Sequence, residues 1–298
     1  MQAMTSTLTV ALLSELFAPP RGGASAPRVP PVAADAEARL RQRLIEARKL
    51  GAQLVVLPEL PLNAWPAASR TPRDEDAEAP GGPRHAVMSR AAAAAEVGLL
   101  GGAIVRDPAS GRRRNVALLF DARGALVLSY AKLHLPEEEG FWESSHYDPG
   151  DEPPHVTEAF GMPAGVQICS DVNRPQGSHL LGARGAEVLL CPRATESGTW
   201  ERWKIVLRAN AMTSAAYVLT VNRPGPEDGV TLGGPSMAVS PQGEVLAETL
   251  DPLSVVTLRR DVVARARASY PGYLKVRADL YARGWKECEG APRQEKTP

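Results

Sequence analysis

Glu59, Lys132, Glu143 and Cys169 are the side chains whose types and places could do chemistry. Glu59 comes just after the apolar run Leu54–Leu57, Lys132 just after a run that closes at Tyr130, and Cys169 just after Ala164–Ile168. Glu143 lies further along the loop that Lys132 opens. A thiolate is a nucleophile, and it needs a base or a cation beside it. A carboxylate can take the thiol proton and later hand it to a leaving amine. An ammonium can hold a developing oxyanion, helped by a backbone N–H at the strand end. A second carboxylate can fix the lysine, and two close carboxylates raise one another's pKa. Each residue alone has a plainer role, as a small buried apolar group, a capping carboxylate or a solvated lysine. The combination is what points to nucleophilic catalysis.

The other candidates are weaker. Cys191 ends a strand but is followed by Pro192, and Cys288 lies near the end of the chain, so both read as structural or incidental. His85, His134, His146, His155 and His179 include no residue with a local signature that ties it to Cys169 as a base. The run Glu137-Glu138-Glu139 reads as a solvated face rather than a metal cluster. Gly233-Gly234 has no phosphate-loop context and reads as a turn.

The reactive positions need a scaffold, and the pattern of apolar runs supplies one. Thr7–Leu13 is a strand, and Ala33–Leu50 carries Ala36, Leu40, Leu44 and Ala47 at helical spacing, with Gly51 just beyond. Leu54–Leu57 follows as a buried strand, completing a β-α-β unit. Pro19–Val32, Pro66–Arg84 and Pro136–Pro154 read as loops. Helices are expected over Ala86–Val97, Ser178–Arg184, Trp200–Ala216 and Asp261–Ser269. Strands are expected over Leu99–Val105, Arg112–Phe120, Ala125–Tyr130, Ala164–Ile168, Glu187–Cys191, Tyr217–Val221, Ser236–Val239, Glu244–Glu248 and Ser254–Leu258. Strands recur in both halves with no internal repeat, so the chain of 298 residues reads as one layered α/β domain. Lys+Arg and Asp+Glu number 34 each, which gives no pull toward nucleic acid or an anionic membrane. The apolar runs are too short to span a bilayer, and the first residues lack the basic region of a signal peptide. Three cysteines in a chain of this size argue against a disulfide framework, and a cytoplasmic location is expected.

With the elements placed, the motifs resemble the carbon–nitrogen hydrolase (nitrilase) superfamily. The string from Lys132-Leu-His-Leu-Pro through Glu143, closed by Tyr147-Asp-Pro-Gly-Asp151, is similar to that family's lysine motif. Leu54-Val-Val-Leu-Pro-Glu59 resembles its first motif, and Gly165-Val-Gln-Ile-Cys-Ser-Asp171 its cysteine motif. The order Glu, Lys, Cys is the family's order, and the likeness spans about residues 5–282. Motif spacing is nearest to the carbamoylputrescine amidohydrolase or N-carbamoyl hydrolase branch.

The resemblance implies a four-layer α-β-β-α sandwich in a single domain over residues 5–282. Residues 283–298 then form a tail, partly disordered or at an oligomer interface. It implies Glu59, Lys132 and Cys169 as the catalytic set and Glu143 as the glutamate that positions substrate and lysine. The expected reaction is attack of Cys169 on a linear amide or N-carbamoyl compound, with Lys132 and the Ser170 N–H holding the intermediate. No metal or organic cofactor is needed, and a homodimer or larger homo-oligomer is expected. Nitrile hydrolysis, acyl transfer to an amine, and a non-catalytic scaffold are the alternatives. Ser170, Gln176, Asn210 and Thr213 depart from the family's usual residues without removing a catalytic group. Arg174 and Arg193 follow strand ends and suit a substrate carboxylate, and Trp142 beside Glu143 suits a pocket wall.

Overall fold

The computed structural model describes residues 7–18 and 32–288. Most of the expected Pro19–Val32 loop and the chain beyond Cys288 lie outside the described residues. The first half runs β1 (Thr7–Leu13), α1 (Ala36–Lys49), β2 (Leu54–Val56), β3 (Ala77–Glu78), α2 (Pro83–Ala95), β4 (Gly98–Arg106), β5 (Arg113–Phe120), β6 (Leu126–Ala131) and a hairpin of β7 (Glu137–Glu138) and β8 (Phe141–Trp142). The second half runs β9 (Val156–Thr157), β10 (Ala164–Val166), α3 (Pro175–Ala183), β11 (Val188–Arg193), α4 (Trp200–Ser214), β12 (Tyr217–Asn222), β13 (Ser236–Val239), β14 (Val245–Thr249), β15 (Leu253–Arg259), α5 (Arg260–Ala268) and α6 (Ala278–Glu287).

One sheet has the order β15-β1-β2-β4-β5-β6, with β3 beside β4, and the other β14-β13-β12-β11-β10-β9. Strand alternation decides what each face buries. Leu8, Val10 and Leu12 of β1, Leu54 and Val56 of β2, and Leu128 and Tyr130 of β6 meet Val188 and Leu190 of β11 and Leu219 and Val221 of β12 in a core between the sheets. The opposite parity, Ala11, Leu13, Val55 and Leu57, packs on Leu40 and Leu44 of α1 and Met88 and Ala91 of α2. Leu189 and Cys191 likewise pack on Leu181 of α3 and Leu207 and Ala211 of α4. The layers therefore stack α-β-β-α, as expected. Among the described residues no helix is long and apolar enough to cross a membrane.

Three parts differ from the sequence reading. The two long loops are not structureless: β3 pairs with β4, and Glu137–Trp142 folds into the small β7–β8 hairpin. Such short pairings carry no periodic signal of their own. The third helix begins at Pro175, which sits at its N-terminal position, where the missing N–H costs nothing. Helix α6 runs through the 282–283 boundary assigned to the tail. None of its residues is buried, so its apolar side chains pack on no core among the described residues.

Candidate active site

The site is assembled where strands of the two sheets end. Lys132 follows β6 with the same parity as Leu128 and Tyr130, so its side chain enters the space between the sheets and is fully buried. Its Nζ lies 2.8 Å from Glu59 Oε1, 2.7 Å from Glu143 Oε1 and 2.6 Å from Glu143 Oε2. Asn115, inward-facing on β5, donates to the same Glu59 oxygen at 2.7 Å. One ammonium thus joins two carboxylates with solvent excluded from all three groups. Burial pulls the ammonium down, but Glu143, Glu59 and Cys169 overcome it and hold Lys132 well above the ordinary lysine range. Burial pushes Glu143 up to about 8 against the pull of Lys132.

Cys169 opens a 3-10 turn beyond β10, with φ +46°, in the left-handed region that side chains avoid. Leu60, directly after Glu59, is left-handed too, at φ +48°. Left-handed backbone thus occurs at Cys169 itself and directly after Glu59. The Cys169 thiol is 4% exposed and contacts the Ala194 carbonyl at 3.5 Å. Burial and then the Glu59 charge push it well above the usual thiol range, while Lys132 pulls it down. Both effects favour the thiol over the thiolate, so a base beside the sulfur would help it to react.

A buried carboxylate to which the sequence alone assigns no role holds these pieces in register. Asp171 Oδ1 accepts from Leu133 N (3.1 Å), His134 N (2.9 Å) and sits 2.8 Å from His134 Nδ1. Its Oδ2 accepts from Ile168 N (3.1 Å) and Tyr130 Oη (2.8 Å). One side chain thus pins the backbone after Lys132 to the backbone before Cys169. Its place two residues beyond the cysteine was the available signal. Arg223 does the same for Glu59: fully buried, it donates to the carbonyls of Glu59 and Leu60 at 2.8 Å and is clamped by Glu227. The backbone of β11 joins in, with Arg193 O accepting from Arg223 N at 3.0 Å.

The expected substrate-binding residues divide. Ser170 Oγ donates to His134 O at 2.5 Å, so its hydroxyl braces the cysteine turn. Asn210 does similar work from α4, donating to Val172 O at 2.8 Å. Arg174 is exposed at the end of that turn. Trp142 is half-buried, with the Arg70 guanidinium 3.8 Å over its ring. Arg193 does not fit the substrate role suggested for it. It shares the parity of Leu189 and Cys191, so it enters the α4 layer, where it is fully buried. There it donates to Thr220 Oγ1 (2.9 Å), Thr195 Oγ1 and Pro235 O, with Trp200 and Trp203 against its plane. Burial among neutral acceptors lowers its pKa to about 10. The Glu137–Glu139 run is exposed, and Glu137 accepts from Ser145 at 3.0 Å. No group of acids, histidines and cysteines suited to a metal occurs among the described residues. A cleft of about 370 Å³ on the outer side of β4–β6, lined by His85, Val116, Leu126 and Asp151 among others, is separate from the buried lysine cluster.

The chain is similar to known proteins over most of its length. Residues 24–268 match the carbon-nitrogen hydrolase family. The omega-amidase of Homo sapiens is 31% identical over 250 residues, 80% of this chain and 87% of that protein. The chloroplastic omega-amidase of Arabidopsis thaliana is 30% identical over 81% of this chain and 68% of that protein. An amidase from Nesterenkonia sp. superposes with a TM-score of 0.72 at 26% identity, over 96% of this chain and 100% of that one. A mutant of the same amidase, in complex with butyramide, gives 0.69 at 26% identity, over 93% and 97%. A carbon-nitrogen hydrolase from Helicobacter pylori G27 gives 0.79 at 22% identity over 94% and 99%, a likeness of fold.

Proposed function

The chain belongs to the carbon-nitrogen hydrolase family, and on that premise we propose that it hydrolyses the amide of a small linear carboxylic acid through a thioester on Cys169. The observation that carries this is the buried Glu59–Lys132–Glu143 cluster, whose charges act on a strained cysteine. Glu59 takes the thiol proton, and the sulfur attacks the amide carbon. The carbonyl electron pair moves to oxygen, where Lys132 and the Ser170 N–H stabilise it. Collapse expels the amine, which leaves as ammonia with the proton from Glu59. A water then gives a proton to Glu59 and its oxygen to the thioester. The carbon–sulfur bond breaks, and sulfur recovers the proton. Glu143 orients Lys132 throughout.

Omega-amidases among the relatives and a butyramide complex among the structural neighbours favour an amide over an N-carbamoyl compound. The N-carbamoyl reading stands second, on motif spacing. Ammonia release from ω-amides, simple amides, N-carbamoyl amino acids, N-carbamoyl amines and nitriles tests both. We expect amides to turn over fastest, with C169A and E59Q at least about a thousandfold slower. Amides left untouched while carbamoyl compounds or nitriles react would overturn the first reading.

We further propose a second copy of the chain as partner. Ile205 and Met212 are exposed on α4, and Tyr270, Tyr273, Leu274, Tyr281 and Trp285 leave the C-terminal segment with uncovered apolar surface. Sedimentation velocity checks this, and a monomer at micromolar concentration contradicts it.

A further inference from the structure

Tyr147, four residues beyond Glu143, has a buried polar atom without an explanation. Its N–H donates to the Glu143 carbonyl at 2.9 Å, which closes one helical turn and brings the two side chains to the same side. The ring is 5% exposed and packs with Leu60, Trp65, Ile104 and Ala194. Leu60 follows Glu59, and the Ala194 carbonyl is the contact of the Cys169 thiol. The ring therefore shares its cluster with the residue that follows the base and the residue that contacts the nucleophile. Its hydroxyl has no hydrogen-bond partner among the described residues. The same is true of Glu59 Oε2, whose sister oxygen is taken by Asn115 and Lys132.

Two buried orphan atoms, the Tyr147 hydroxyl and Glu59 Oε2, need an explanation. Leaving a buried hydroxyl unpaired costs about 1–3 kcal/mol, and a phenylalanine would fill the same space without that cost. The demands of the two atoms are complementary. A carboxylate oxygen only accepts, whereas a phenol both donates and accepts. Burial, then Glu143 and Glu59, keep the phenol protonated far above neutrality, so it orients a partner without exchanging protons with it. Water meets both demands, and buried water is held at such atoms.

We infer that Tyr147 and Glu59 Oε2 together hold the water that hydrolyses the Cys169 thioester. The inference rests on the thioester reading above. The water gives one proton to Glu59 Oε2 and forms the new bond to carbon through its oxygen. Its remaining hydrogen bond is held by Tyr147, which keeps its own proton. The carbon–sulfur electron pair returns to sulfur, which takes the proton from Glu59.

The test is Y147F, assayed on the best amide with and without hydroxylamine. Ammonia reports acylation, and the ratio of hydroxamate to acid reports how well water competes for the thioester. We expect an ammonia burst followed by slow turnover, a hydroxamate-to-acid ratio raised roughly tenfold, and a Tm equal to or above that of the parent. A ratio unchanged within twofold overturns the inference, whether Tm stays or falls, because packing alone would not alter partitioning. A parent protein that releases no ammonia and forms no acyl adduct at Cys169 overturns the hydrolase reading and this inference together.

Discussion

Lys132 and Glu143 face each other at 2.6 Å with solvent excluded from both side chains, and the lysine's second contact, to Glu59, makes it the joint of the cluster. Removing one member of a buried pair leaves an uncompensated charge, which costs about 3–5 kcal/mol.

K132M therefore loses stability as well as activity. At pH 9, where Glu143 is ionised, urea denaturation should show a loss of about 3–5 kcal/mol, partly regained in K132M/E143Q, where one stranded carboxylate is neutralised. A K132M protein as stable as the parent would mean that water solvates the two glutamates.

Stability should also depend on pH through Glu143. Its folded carboxyl titrates at about 8, above its ordinary value. Between about 4.5 and 8 the unfolded chain loses a proton that the folded one keeps, so the folded state binds more protons and stability falls as pH rises. Above about 8 this contribution levels off. Comparing Tm across that window for parent and E143Q checks it, and the E143Q curve should be the flatter of the two.

Thiol reactivity should separate the three cysteines by cause. Cys288 is exposed and is removed as C288S for the experiment. Cys191 is buried against the α3–α4 layer, and burial pushes its thiol up to about 12, so it stays unlabelled. Cys169 needs Glu59 to take its proton. Iodoacetamide, itself a small amide, should label Cys169 at pH 7, and E59Q should slow labelling by about tenfold or more. Equal labelling of parent and E59Q would remove Glu59 as the base.

The two arginines should answer differently. R174A should lower kcat/KM about tenfold or more for amides bearing a free carboxylate and spare neutral ones, with no change in Tm. R193A should instead lower stability by about 2–4 kcal/mol, because three hydrogen bonds and two indole contacts go with it. Equal losses for acidic and neutral substrates in R174A would end the carboxylate assignment.

What the sequence allowed to be read follows from these cases. Lys132 was legible because it continues the alternation of Leu128 and Tyr130 past the end of β6. Glu59 and Cys169 were legible because apolar runs stop just before them. Arg193 was misplaced because its strand was ended at Cys191. With β11 extended to Arg193, the parity of Leu189 and Cys191 sends its side chain to the helices. The hub role of Asp171 is hidden in the sequence because its five partner atoms, on four residues, come from two segments that only the folded chain brings together. Helix α6 carries Leu280, Tyr281 and Trp285, which no core among the described residues covers, so burial within the chain could not place it.

The dihedral angle at Cys169 also restricts which atoms could ever attack from this position. A second heavy atom on Cβ makes threonine or valine costly where φ is +46°. The scaffold therefore admits an unbranched sulfur or oxygen at this elbow and rejects the secondary alcohol that serves other amide-cleaving enzymes.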